Sequence, residues 1–144
     1  MTAHASSVNS PRRTTGTSST INHYKIGRTR PRLCREGKLD EAYCRFSLAG
    51  VGRSFYTKWF AFAGRAEDRP WQPLILDDRV FRTFNDTLGI FTVRLAGTRR
   101  RDRRYCAYVE HLHLWSNSVR EAGIQCSAER LEWILFAHNG AALP

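Results

Sequence analysis

The chain has 144 residues, 42% of them hydrophobic and 12% aromatic, with a formal net charge of +10. That length and apolar content suit one modest domain with a core of its own and exclude a chain that is disordered throughout. No apolar run approaches the roughly 18 residues of a transmembrane helix, and the first residues lack the apolar stretch of a secretory signal, so a cytoplasmic protein without membrane contact is expected. The charge predicts a polyanionic partner, nucleic acid first. A coding bias accounts for it too, because all but three of the 23 basic residues are arginine.

Residues 1–22, MTAHASSVNSPRRTTGTSSTIN, are rich in Ser and Thr and nearly free of apolar side chains. Such a composition cannot offset the entropy of ordering. HYKIGRTRPRLCREG continues basic and irregular, interrupted by Gly27 and Pro31. Residues 1–36 therefore read as a disordered or irregular basic arm, and residues 37–144 as a compact helical domain.

Helical spacing begins with Leu39, Tyr43 and Phe46, predicting a short helix over 38–46. LAGVG reads as a tight turn. In RSFYTKWFAFA, Phe55, Trp59, Phe62 and Ala63 share a face, and Gly64 suits the helix stop. RAEDRPWQP is a loop. Val80, Phe81, Phe84 and Leu88 mark a further helix that Asp77 or Asp78 can cap and Gly89 ends. FTVRLAG fits a strand or a helical turn equally. Five arginines crowd positions 99–104, after which Tyr105, Tyr108, Val109, Leu112, Trp115 and Val119 trace one face of a long helix stopped by Gly123. Ser127 caps a last helix, AERLEWILFAH, with Leu131, Ile134 and Leu135 inward. The fold class is all-α, about five helices joined by short loops.

Cys34, Cys44, Cys106 and Cys126 form no C-x-x-C and read as free, mostly buried thiols. His111 and His113, two apart on a helix, point to different sides and do not share a metal. Neither a metal nor a cofactor is expected.

The order helix, Gly-Val-Gly turn, helix, loop, aspartate, helix carries the chemistry. A glycine turn ahead of a helix exposes successive backbone N–H groups, which with the helix dipole make a phosphate-binding corner. Gly50, Val51, Gly52 and the adjacent Arg53 are candidate DNA contacts. Arg79 and Arg82 on the aspartate's helix, and Arg101 and Arg104 in the arginine run, would neutralise backbone phosphates. A solvated charge is the plain alternative for each.

LAGVGRSFYTKWFAFAG is similar to the L-x-G-V-G hairpin and following helix of the helix-hairpin-helix superfamily of DNA glycosylases, and LILDDRVFRTF resembles the segment carrying that family's essential aspartate. With EAYCRFS before the hairpin and WSNSVREAGIQCSAERLEWILFAH at the end, residues 37–138 resemble a bacterial group with the 8-oxoguanine DNA glycosylase fold. The resemblance implies a monomeric, nucleoid-associated enzyme that acts on double-stranded DNA, flips out a damaged or modified base and cuts its N-glycosidic bond. Asp77 matches the essential aspartate, a role compatible with capping its helix. Bifunctional members place a lysine two residues after the second hairpin glycine. Counted without gaps that position is Ser54, which implies water as the nucleophile. Lys58, one helical turn on and surrounded by Phe55, Tyr56, Trp59 and Phe62, is the alternative nucleophile if those rings desolvate it; otherwise it contacts phosphate or is solvated. Phe136 or Trp133 would stack on the flipped base, although both also read as core. Family members carry a longer helical region before the hairpin, where this chain has a polar segment, which points to an N-terminally shortened version. Two other readings stand beside the enzyme: a non-catalytic helix-hairpin-helix DNA-binding module, and a small helical interaction protein.

Overall fold

The computed structural model describes residues 31–46 and 49–141. Their elements are a helical stretch over 31–35 (α1), Leu39–Arg45 (α2), Arg53–Gly64 (α3), Asp78–Arg82 (α4), Thr92–Ala96 (α5), Arg101–Glu121 (α6) and Ala128–His138 (α7). α4 runs on into a π-helical turn, Thr83–Thr87. The described residues contain no strand, as the all-α expectation requires. None of their helices is long and apolar enough to cross a membrane.

α6 is the central element. Its Tyr105, Tyr108, Val109 and Leu112 are buried at helical spacing, and α2, α5 and α7 pack against it. The last turns of the predicted stripe differ: Trp115 and Val119 are only half-buried, while Ser116 is buried and donates to Cys126 O at 2.7 Å. The undecided FTVRLAG stretch is the helix α5, ended by Gly97 in the left-handed region at φ 63°.

The basic arm expected over 1–36 does not reach residue 36. α1 is part of the core, with Leu33 and Cys34 buried. The remainder of that expectation, residues 1–30, lies outside the described residues. The thiols are free as expected, but only Cys34 is buried, and Cys44 is exposed. Burial pushes the Cys34 and Cys106 thiols up to about 12.

The inner face of α3 also departs from expectation. Thr57, Phe60 and Gly64 are buried, whereas Phe55 is exposed and Phe62 is 78% exposed. Two contacts set this phase. The Thr57 hydroxyl is needed inside as a hydrogen-bond acceptor for Leu76 N–H. Gly64 lies against α1 and the following loop so closely that a Cβ there would sit 2.6 Å from Pro73 Cγ and 2.7 Å from Cys34 Cβ. Its glycine serves close packing rather than a left-handed helix stop.

Candidate functional site

The connecting segment 71–77 contains no helical residue, so its peptide groups need partners from elsewhere. Side chains of three helices supply them. From α6, Tyr105 OH donates to Leu74 O at 2.7 Å and Tyr108 OH to Ile75 O at 2.9 Å. From α7, Glu132 Oε2 accepts Ile75 N–H at 2.8 Å. From α3, Thr57 Oγ1 accepts Leu76 N–H at 3.0 Å. Burial pushes both phenols well above their usual range, which keeps them protonated donors.

This clamp delivers Asp77 to the start of α4. Its backbone is extended (φ −88°, ψ −179°), and its Oδ1 accepts the N–H groups of Arg79 and Val80, each at 3.0 Å. The residue is only 6% exposed. Of the two aspartates that could cap this helix, Asp77 does so. Asp78 points to solvent and pairs with Arg53, Nη2 to Oδ1 2.5 Å.

Glu132 is a residue that the sequence reading missed. Its carboxyl is raised to about 7, chiefly by burial, with the negative charges of Asp77 and Glu129 acting in the same direction and the Ile75 N–H opposing them. It lines a groove of about 140 Å³ with Phe62, Pro73 and Ile75. The usable signal was local: in LEWILF, residues 131–136, it is the only charge.

At α3 the helix start is open. Ala49 and Gly50 form a turn, with Gly50 at φ +76°, a conformation that favours glycine. Gly52 is the N-cap at φ −88°, and no side chain caps the helix. A Cβ on Gly52 would meet nothing within 4 Å, so neither conformation nor internal packing demands glycine there. Ser54 is half-buried in this first turn. Leu48, the first residue of the predicted hairpin, lies outside the described residues.

The predicted arginines fall into two groups. Arg53, Arg101 and Arg104 come together around a cavity of about 420 Å³ that Tyr43, Leu76, Phe81, Thr92 and Tyr105 complete. Arg79 and Arg82 lie on the other side of α4, Arg79 over the Phe136 ring at 4.8 Å and Arg82 Nη2 bonded to Asn139 Oδ1 at 2.6 Å. Phe136 is half-buried; Trp133 is 55% exposed and carries Arg130 at 4.6 Å, so its reading as core is corrected. Ile134, expected inward, is 46% exposed. Lys58 is exposed, and two of the rings expected to desolvate it, Phe55 and Phe62, are themselves in solvent. His113 Nε2 lies 2.8 Å from Gln72 O, while the His111 ring packs on Trp115 at 4.6 Å, so the two histidines serve different partners.

The helix start at Gly52 is uncapped, the arginines cluster around a cavity, and Asp77 is a fixed carboxylate that does not line that cavity. The family model described as "Putative 8-oxoguanine DNA glycosylase OGG-like protein" matches residues 7–136. The chain belongs to that family. The match begins at residue 7 and so takes in residues 7–36, which the resemblance over 37–138 did not. No curated protein and no solved structure matches the chain.

Proposed function

We propose that this chain is a DNA N-glycosylase that holds duplex DNA at the Gly50-Val51-Gly52 turn and the start of α3, a helix-hairpin-helix arrangement, and excises a damaged or modified base with Asp77 as its essential carboxylate. The observation that carries the reading is Asp77 itself. As the glycosidic bond breaks, its electron pair leaves with the base and positive charge builds on the sugar. A carboxylate held in place beforehand stabilises that charge without reorganising. Asp77 has that property, because two backbone N–H groups fix Oδ1 and three helices hold the chain that precedes it. Gly52 supports the binding half: open space before an uncapped helix start lets a phosphate approach the backbone.

Water is the nucleophile in this reading. It adds to the sugar carbon, and the proton it loses balances the one that the departing base takes up. Ser54 stands at the position where bifunctional relatives carry lysine, and the exposed Lys58 lacks the desolvation that a nucleophilic amine needs. Phe136, with Arg79 over its ring, is the candidate to stack on the displaced base. One observation favours the non-catalytic DNA-binding module instead: capping α4 by itself accounts for the two hydrogen bonds of Asp77 Oδ1.

Duplexes carrying 8-oxoguanine, uracil or a modified cytosine, incubated with the protein and borohydride, separate these readings. Base release without a trapped adduct is the expected result. An adduct lost in Lys58→Ala would move the nucleophile to the lysine, and DNA binding without release from any duplex would leave the binding module.

A further inference from the structure

The 420 Å³ cavity between α2, α3, α4, α5 and α6 shares Arg53 with the DNA grip proposed above and rests on that reading there, but neither Asp77 nor Glu132 lines it. Leu76 faces it, while the adjacent Ile75 lines the groove of Glu132. Its walls are cationic and aromatic. Three arginines reach it, and none of its lining residues is acidic. Arg53, Arg101 and Arg104 line it together with Tyr43.

Those charges are incompletely balanced. Arg53 shares Asp78. Arg104 Nε donates to a neutral partner, Thr92 Oγ1, at 3.0 Å. Arg101 has no hydrogen-bond or ion-pair partner among the described residues. The nearby acids serve other arginines: Asp102 takes Arg100 at 2.6 Å and Asp40 takes Arg103 at 3.3 Å. The Phe81 ring carries Arg53 at 4.2 Å and Arg104 at 5.9 Å, a stack of ring and guanidinium on one wall.

We propose that this cavity binds a nucleoside monophosphate unit, its phosphate held by Arg101 and Arg104 and its base laid against the Phe81–Arg53 stack and Tyr43. Guanidinium groups match phosphate oxygens in a fork, and aromatic rings accept any base face. The volume lies within the range of small-ligand sites, about 300–1,000 Å³. Two sources supply the same chemistry: a free mononucleotide, or a nucleotide of a DNA strand turned into the cavity.

The full-length chain at low salt is titrated calorimetrically with deoxyguanosine 5′-monophosphate, with deoxyguanosine and with inorganic phosphate. One saturable site for the monophosphate is expected, with nucleoside and phosphate alone each at least about tenfold weaker. Arg101→Glu, at the exposed first residue of α6, weakens monophosphate binding at least about tenfold while the circular dichroism spectrum stays unchanged. An end-blocked single-stranded oligonucleotide that competes identifies the strand as the source; one that does not identifies the free nucleotide. Absence of saturation, equal binding of phosphate alone, or wild-type binding by Arg101→Glu overturns the proposal. Asp77→Asn leaves this titration unaltered, so loss of excision and loss of nucleotide binding are separable results.

Discussion

The N-termini of α3 and α4 meet the same physical demand in opposite ways. Every helix start leaves backbone N–H groups without partners inside the helix. α4 supplies its own acceptor, Asp77, which is buried and bonded to two of those groups. α3 supplies none: Gly52 caps it without a side chain, with empty space around its Cα. Self-satisfaction makes the first site rigid, and openness makes the second available to an external anion. A glycosylase needs both, a fixed carboxylate at the sugar and a free grip on the backbone.

The rigid side breaks most readily at the clamp. Thr57→Val removes the acceptor of the buried Leu76 N–H, and the unsatisfied donor costs about 1–3 kcal/mol. Urea melts with unchanged slope and a lowered midpoint check this. On the open side, Gly52→Ala leaves the fold intact, since its Cβ meets nothing within 4 Å. A methyl group there obstructs the phosphate, so duplex affinity falls about tenfold, as when one charge-assisted hydrogen bond is lost. Binding isotherms at several salt concentrations report it, together with a shallower salt slope.

Glu132 adds a pH dependence to the clamp. Its carboxyl rests at about 7 in the folded chain, against an ordinary value of 4.5. A raised carboxyl means that the folded state holds the proton more tightly. Its contribution is complete below about pH 4.5 and is lost as pH rises to about 7, amounting to about 3 kcal/mol at most. Glu132→Gln flattens that portion of the stability-against-pH curve, provided the amide oxygen keeps the Ile75 N–H. The smallest effect belongs to Lys58→Ala, for which base release under single-turnover conditions changes less than about threefold, because an exposed lysine stabilises no reacting atom.

What the sequence conveyed follows the same division between local and distant causes. The Ser127 cap, the burial of Tyr105 and Leu112, and the aspartate ahead of Val80 were legible because each depends on spacing within a few residues. The face of α3 was not, because Thr57 turns inward for a peptide group 19 residues away and Gly64 for contacts with α1 and Pro73. Apolar spacing alone put Phe62 on the shared face and gave Thr57 no place in it, whereas Phe62 is exposed and Thr57 buried. Glu132 was missed for a similar reason: its partner, Ile75, is 57 residues earlier. The meeting of Arg53 with Arg101 and Arg104 likewise depends on how α3 and α6 pack, and the charge run itself gave only the sign.

The central claim is that Asp77 acts through its charge at a place fixed by its cap. Asp77→Asn separates the two, since asparagine caps a helix about as well as aspartate but carries no charge. Base release from the responsive duplex is followed under single-turnover conditions, with urea stability and duplex affinity measured alongside. The account predicts a loss of release of about 10²–10³-fold with stability and affinity nearly unchanged. Release at the wild-type rate, or a loss matched by an equal loss of folded protein, would contradict it.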